Sequence, residues 1–140
     1  MKKLLLDANS ILLFTRAGMV PVDDDETSVS TTAIAAYELG NAVWKDLHLF
    51  KKLTEGEARL LLTAFHETLL RLRVEPQLEL AERLNILANA NRCDLSFYDS
   101  SYLTAAMRLE ATLVTEDVSL KKASKECGVP NSSARELMSA

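Results

Sequence analysis

Four acidic residues, widely separated along the chain, have sequence surroundings that could place them in one site. Asp7 ends a short apolar run, "LLLD", and Asp117 follows a second such run, "TLVT", by two residues. Asp99 shares a predicted helix face with the apolar residues four and seven positions later, and Glu38 borders the apolar arc of its own predicted helix. Carboxylates are hard oxygen ligands, which suit Mg²⁺ or Mn²⁺ rather than a soft metal.

A cluster of this kind would have a specific chemistry. Carboxylates held a few ångströms apart repel one another, so at least one pKa rises unless a cation lies among them. An oxygen-lined divalent site suits phosphodiester hydrolysis, because the ion activates water and neutralises charge on the scissile phosphate. The four acids therefore predict a Mg²⁺- or Mn²⁺-dependent hydrolase of phosphodiesters.

Each acid also has a structural interpretation. Asp99 could be the third residue of a capping box that opens with Ser96, and Asp117 could be the N-cap of the helix that follows it. Glu38 could lie on a helix surface. For Asp7 a structural role is less evident, because a strand-end acid without a basic partner has little structural purpose. Capping and metal binding can coexist, since a carboxylate has several acceptor sites.

The elements that must position these acids are short strands alternating with helices. Strands are predicted at 4–7, 29–31 and 112–115, with a further short one beginning at 74. Helices are predicted at 32–53, 54–72, 78–90, 98–110 and 117–125. This alternation predicts a three-layer α/β/α fold with a short parallel sheet, whose ligands bind beyond the carboxyl ends of the strands. Asp7 and Asp117 should therefore lie at the same edge.

Length and composition place further bounds on the chain. Its 140 residues predict a single domain, 1–140, and 48% apolar with 26% charged residues is the balance of an ordinary soluble protein. No run approaches the roughly 18 apolar residues of a membrane span, and Asp7 interrupts the apolar start too early for a signal peptide. We therefore expect a cytoplasmic protein with no membrane partner.

The net charge of −4 argues against a generic nucleic-acid-binding surface but leaves room for a local basic rim. The candidates for contacts with substrate phosphates are Arg16, Lys45, Lys121 and Lys122. Each lies on an element leading from a candidate acid, although a solvated helix charge is the alternative interpretation of every one. Cys93 and Cys127 belong to no metal or CxxC pattern, and we interpret them as reduced, partly buried thiols that an organism tolerant of intracellular disulfides could pair.

Four segments resemble one known family in their order along the chain. They are "LLLDANSIL", "YELGNAVW", "LSFYDSSYLTAA" and "LVTED". Together they are similar to the PIN-domain nucleases, and within them to the VapC-type ribonuclease toxins of VapBC toxin–antitoxin pairs. The resemblance spans nearly the whole chain and implies a PIN-like fold.

The resemblance also implies roles for individual residues. The acidic cluster of the family falls on Asp7, Glu38, Asp99 and Asp117. Its polar residue two positions after the first acid corresponds to Asn9, and the threonine of its T-x-D segment corresponds to Thr115, whose hydroxyl would orient the site. The resemblance further implies an RNA substrate and an antitoxin protein that blocks the site, and we expect a homodimer.

Some features depart from the family or favour other functions. The tail "GVPNSSARELMSA" is typical of a turn and helix and predicts no further strand. Glu116 is expected to turn away from the metal, with a supporting contact to a metal ligand as the alternative. One alternative function is a catalytically silent PIN-like module that binds RNA or protein. Another is a response-regulator-like module, although that fold expects a pair of acids at the first strand's end, where this chain has Asp7 alone.

Overall fold

A five-stranded parallel sheet forms the centre of the computed structural model, which describes residues 1–140. Its strands are β1 (Lys2–Leu6), β2 (Thr27–Thr32), β3 (Arg73–Glu75), β4 (Thr112–Val114) and β5 (Asn131–Ser132). They are arranged in the order β3-β2-β1-β4-β5, and every neighbouring pair is parallel. The apolar residues Leu5, Leu6, Leu113 and Val114 are fully buried, as expected for strands covered on both faces.

Seven α-helices surround the sheet. They are α1 (Ala8–Ala17), α2 (Ile34–Trp44), α3 (Glu55–Leu70), α4 (Leu80–Cys93), α5 (Phe97–Leu109), α6 (Val118–Glu126) and α7 (Ala134–Ser139). Helix α1 contacts α2, α3 and α7, whereas α5 contacts α4, α6 and the three strands β1, β2 and β4. The predicted three-layer α/β/α fold is confirmed. None of the helices combines the length and apolarity that crossing a membrane requires.

The second helix ends earlier than the sequence predicted. After Trp44 it continues as one π-helical turn, Lys45–Leu49, which closes with a hydrogen bond from the Phe50 amide to the Lys45 carbonyl. Lys51 then adopts a left-handed backbone with φ of 53°, so the helix cannot reach residue 53. The capping box at Thr54 and Glu57 opens α3 as predicted.

Two expectations about topology are settled by the sheet. The prediction that the tail has no strand is wrong, because Asn131 and Ser132 pair in parallel with Leu113 and Val114 before α7 begins. A two-residue strand is too short to produce a periodic sequence signal. The strand order also differs from the 2-1-3-4-5 order of flavodoxin-like folds, to which response regulators belong, and thus argues against that alternative.

Candidate active site

The candidate site lies where the strand order reverses. Strands β1, β2 and β3 succeed one another in one direction, and β4 and β5 extend from β1 in the other. Leu6 is paired with Val114, so Asp7 and Thr115 leave adjacent strands side by side at the same edge, and the Asp7 amide donates to the Val114 carbonyl at 3.2 Å. Such reversals open a crevice at the carboxyl ends of parallel strands, where ligands bind.

Asp7 is buried at the floor of this crevice, with 6% of its surface exposed. Its Oδ1 accepts a hydrogen bond from the Ser10 amide at 2.9 Å, and its Oδ2 accepts one from the Thr115 hydroxyl at 2.5 Å. Burial raises the pKa of Asp7, and the nearby charge of Asp117 adds to this, although the bonds from Thr115 and Ser10 act in the opposite direction.

The bond to Ser10 makes Asp7 the N-cap of α1, a structural role that the sequence analysis missed. The signal was available, because Asp is a favoured N-cap residue and α1 begins at the very next position. Capping occupies one lone pair of the carboxylate and leaves others for a ligand.

Thr115 and Asp117 continue the site from the end of β4. The buried Thr115 hydroxyl accepts a hydrogen bond from the Asp117 amide at 3.0 Å while it donates to Asp7. Asp117 caps α6, since its Oδ1 accepts from the Leu120 amide at 2.8 Å. The structural interpretation of Asp117 therefore holds, and its carboxylate also lines the cleft.

Asp99 lies in the first turn of α5 and is half-buried. The Ser96 hydroxyl accepts from the Asp99 amide at 3.0 Å, but no bond runs back from the Ser96 amide to the Asp99 carboxylate, so the reciprocal capping box is incomplete. Burial raises the pKa of Asp99, the charges of Asp117 and Asp7 raise it further, and the side chain of Ser96 acts in the opposite direction. Asp99 therefore lines the cleft without completing the capping box.

Glu38 approaches the same cleft from α2. Its Oε1 accepts a hydrogen bond from the Tyr102 hydroxyl at 2.5 Å. Burial raises the pKa of Glu38, the bond from Tyr102 lowers it, and the charges of Asp99 and Asp7 raise it again. Tyr102 was not among the residues predicted from the sequence, although it lies three residues after Asp99 and therefore on the same helix face.

A single cleft of about 280 Å³ unites these side chains. Its lining residues are Asp7, Ala8, Asn9, Glu38, Asp99, Tyr102, Glu116 and Asp117. All four predicted acids and Asn9 therefore meet in one hollow, with the Thr115 hydroxyl bonded to Asp7 at its floor. The lining contains five carboxylates and no lysine, arginine or histidine, and none of the four predicted acids forms an ion pair with a basic side chain.

Glu116 is the fifth acid of the lining. Its Oε1 accepts from the Arg135 amide at 3.2 Å, and its Oε2 lies 3.6 Å from the Arg135 Nε. The carboxylate is thus bound to the beginning of α7 while its residue borders the cleft.

The four basic candidates do not line the cleft. Arg16 pairs with Asp46 at 3.3 Å, and Lys121 lies 3.9 Å from Glu136. Lys45 and Lys122 are exposed to solvent. Any contact that these residues make with substrate phosphates would lie outside the hollow.

The donor set fits a hard divalent cation that keeps part of its water shell. No three of the chain's His, Cys, Asp and Glu side chains are close enough to hold an ion by direct contact alone. Mg²⁺ dehydrates reluctantly and is commonly held by one or two carboxylates and several waters. Carboxylates whose pKa values rise through burial and mutual repulsion are also the groups that a cation would stabilise.

Comparison with known proteins places this geometry in a recognised fold. No protein-family model and no curated protein matches the sequence. Among solved structures, the chain superposes on PAE2754 from Pyrobaculum aerophilum with a TM-score of 0.76 and 24% identity, over 97% of this chain and 93% of that one. The chain shares its fold.

Two further solved structures extend the similarity. VapBC-1 from nontypeable Haemophilus influenzae matches with a TM-score of 0.65 and 14% identity, over 95% of this chain and 98% of that chain. FitAcB from Neisseria gonorrhoeae matches with a TM-score of 0.63 and 20% identity, over 94% of this chain and 98% of that chain. The predicted PIN-like fold is confirmed.

Proposed function

We propose that the protein is a Mg²⁺- or Mn²⁺-dependent endoribonuclease and the toxin component of a toxin–antitoxin pair. The observation that carries this proposal is the cleft of five carboxylates without a basic residue, at the point where the strand order reverses. The fold shared with VapBC and FitAcB supports the toxin part of the proposal.

Each residue of the cleft has a proposed role. Asp7, Asp99 and Asp117 hold the cation directly or through water, and Glu38 completes the cluster or orients the attacking water. The bound cation supplies an activated water and neutralises charge on the scissile phosphate. Asn9, at the exposed rim, is placed to contact substrate, and the Thr115 hydroxyl keeps Asp7 in position.

An RNA strand would contact the protein mainly outside the hollow. Arg16, Lys45, Lys121 and Lys122 are the proposed phosphate contacts, and the ion pairs of Arg16 and Lys121 are exposed enough to exchange for phosphate. Because such contacts release counterions, RNA binding should weaken steeply as the salt concentration rises.

The proposed protein partners are an antitoxin and a second copy of the chain. Large apolar side chains are exposed together around a second hollow, including Tyr37 at 79% and Leu78 at 75%. Contiguous apolar groups of this kind often mark protein–protein contacts. Co-purification with the product of an adjacent reading frame, together with loss of cleavage in that complex, tests the antitoxin. The mass of the free protein in solution tests the second copy. We also propose a cytoplasmic location.

The substitution Asp7→Asn tests the nuclease proposal most directly. Asn caps a helix as well as Asp does, so α1 should remain capped and the protein folded. Loss of the carboxylate charge should lower Mn²⁺-dependent RNA cleavage by about a hundredfold or more, and chelation should abolish cleavage by the unaltered protein.

Asp25→Asn is the matched control for this experiment. Asp25 is exposed and makes no side-chain hydrogen bond, and it lies outside the cleft, so the same loss of one charge should leave cleavage unchanged. Undiminished, metal-independent cleavage by the Asp7→Asn protein would refute the assignment. If the unaltered protein bound RNA without cutting it in Mn²⁺, the silent binding module would be the better description.

A further inference from the structure

Tyr102 carries a hydroxyl that packing alone does not require. Its side chain is 1% exposed and belongs to the main hydrophobic core. A phenylalanine ring would fill the same core volume, but the Tyr102 hydroxyl reaches the cleft and donates to Glu38 at 2.5 Å. The hydroxyl therefore serves Glu38 and not the core.

The bond between Tyr102 and Glu38 joins two separate groups of helices. Glu38 lies on α2, which packs against α1 and α3, and Tyr102 lies on α5, which packs against α4 and α6. No other hydrogen bond or ion pair holds the Glu38 carboxylate, whose second oxygen is left free. A glutamate has three side-chain torsions, and this one is repelled by Asp7 and Asp99, so without the bond it would turn away from them.

We infer that Tyr102 is a positioning residue of the proposed metal site, where its hydroxyl holds the Glu38 carboxylate toward the other acids. This inference rests on the proposed function. Partners that orient a metal-binding side chain typically change metal affinity or activity by about 10–100-fold when they are removed. Tyr102 would act through Glu38 and would not itself touch the cation.

A double-mutant cycle of Tyr102→Phe and Glu38→Ala separates this role from a packing role. Alone, Tyr102→Phe should weaken Mn²⁺ binding, measured by calorimetric titration, by about tenfold and slow RNA cleavage to a similar extent. In the Glu38→Ala background the same change should have no further effect on either measurement. In metal-free protein, the shift of the urea midpoint caused by Tyr102→Phe should likewise shrink in that background.

Tyr98→Phe is the matched control, because the Tyr98 side chain is 58% exposed and its hydroxyl has no hydrogen-bond partner. It should change none of these measurements. Normal Mn²⁺ affinity in Tyr102→Phe, or equal losses in both backgrounds, would overturn the positioning role and leave the nuclease proposal intact. If the unaltered protein neither bound Mn²⁺ nor cleaved RNA, the proposed function would fail and this inference with it.

A second inference concerns the two cysteines and is independent of the metal site. Cys93 is the last residue of α4, and Cys127 follows the end of α6. Their sulfur atoms are 3.6 Å apart, and both residues are partly buried. A disulfide requires about 2.05 Å between the sulfur atoms, so side-chain rotation and a small adjustment of two helix ends would bring them together.

The surroundings of the pair include a fixed cation. The Arg92 Nη2 lies 3.8 Å from the Cys127 sulfur, and it is held by a 2.8 Å bond to the Asn89 side chain. A guanidinium there favours the thiolate, which is the reacting form, although burial is the larger influence and raises the pKa of Cys127. Reaction of the pair should therefore accelerate as the pH rises.

We propose that Cys93 and Cys127 form a reversible intramolecular disulfide in the presence of a disulfide oxidant such as glutathione disulfide. One thiolate attacks the oxidant and forms a mixed disulfide, releasing one glutathione thiolate. The second cysteine thiolate then attacks the mixed disulfide and releases the other. The protein loses two protons and two electrons in total, and the oxidant takes up both and is reduced to two thiols.

The disulfide would join the two helices whose neighbouring segments carry acids of the cleft. Helix α6 begins immediately after Asp117, and α4 is followed by the short connection that leads to Asp99. Closing the intervening chain segment constrains the unfolded state, so the melting temperature should rise by about 10 °C.

Intact mass spectrometry with glutathione disulfide tests the pairing. The protein should lose about 2 Da as a monomer, and a reductant should restore its mass and melting temperature. The matched controls Cys93→Ser and Cys127→Ser each keep one thiol. Each should instead form a stable mixed disulfide with glutathione, because no second thiol is available to displace it. Stable adducts on the unaltered protein, or disulfides between chains, would overturn the proposal.

Discussion

The Thr115 hydroxyl donates to Asp7 at 2.5 Å and thereby connects the ends of β1 and β4. The same oxygen accepts a hydrogen bond from the Asp117 amide at 3.0 Å. One buried hydroxyl therefore donates to the side chain of one acid of the cleft and accepts from the backbone of another. Thr115 is consequently placed to fix the separation of Asp7 and Asp117 before any ligand arrives.

Replacing Thr115 with valine keeps the shape of the side chain and removes both hydrogen bonds. The Asp7 carboxylate oxygen would then lack a partner in a buried setting and the Asp117 amide would lose its acceptor, so the free energy of unfolding should fall by about 1–3 kcal/mol. Urea denaturation measures this loss, and Mn²⁺-dependent RNA cleavage should fall together with it.

Thr115→Ser is the control for that substitution, because it retains the hydroxyl and should preserve cleavage. Its loss of one methyl group should lower stability by about 1 kcal/mol. Equal cleavage by the serine and valine proteins would show that the hydroxyl has no part in positioning the acids.

The sequence predicted the placement of the acids better than their bonds. Asp7 and Asp117 could be assigned to one edge because short apolar runs indicate buried parallel strands, whose carboxyl ends meet there. Asp99 and Glu38 were found through helical spacing, since a face near the apolar arc points toward the interior. Apolar runs and helical spacing are both local patterns, so they can be recognised in a single sequence.

What the sequence missed depends on contacts between distant segments. The bond from Tyr102 to Glu38 joins residues 64 positions apart, and no local period encodes it. The pairing of β5 with β4 is likewise fixed by tertiary contact, because two residues are too few for a strand pattern. The proximity of Cys93 and Cys127 arises from two helices ending side by side and could not be deduced from their spacing.

Asp99→Asn should separate metal binding from helix capping. The Asp99 carboxylate makes no bond to the Ser96 amide, so its loss should change the metal-free free energy of unfolding by no more than about 0.5 kcal/mol, or raise it by relieving repulsion. At a Mn²⁺ concentration a hundredfold above its Kd, the free energy of unfolding of the unaltered protein should rise by about 2.7 kcal/mol.

The same Mn²⁺ concentration should raise the free energy of unfolding of Asp99→Asn by only about 0.4–1.4 kcal/mol, because its affinity for Mn²⁺ should be 10–100-fold weaker. Urea denaturation with and without Mn²⁺ provides both values. A large loss of metal-free stability would support the capping interpretation of Asp99. Thr54→Ala is a useful comparison, since it removes a complete capping box and should cost about 1 kcal/mol without affecting Mn²⁺ binding.

Metal-free stability should decrease as the pH rises through the mildly acidic range. The pKa values of Asp7, Glu38 and Asp99 lie above their ordinary values of 3.8 and 4.5, because burial and mutual repulsion disfavour the charged carboxylates. Between the ordinary and the raised pKa values the native state binds more protons than the unfolded state, so each unit of increasing pH lowers the free energy of unfolding.

Two other acids give the metal-free stability the opposite dependence on pH, because their pKa values are lowered in the folded protein. The pKa of Asp23 is lowered, mainly by the bond from the Val29 amide, and that of Glu57 is lowered, mainly by the bond from the Thr54 amide. The stability that these two contribute is present above their ordinary pKa values and is lost as the pH falls through the lowered ones. The metal-free protein should therefore be most stable in mild acid, between these two ranges.

Urea denaturation in chelator across this pH range provides the test. The slope of stability against pH should be negative in the unaltered protein and smaller in a Glu38→Gln, Asp99→Asn double variant, because two of the three raised carboxyls are then absent. Stabilisation by Mn²⁺ should instead grow as the pH rises, since the cation binds the deprotonated carboxylates. A flat profile in chelator, unchanged by the double substitution, would mean that the acids of the cleft do not repel one another enough to favour a cation.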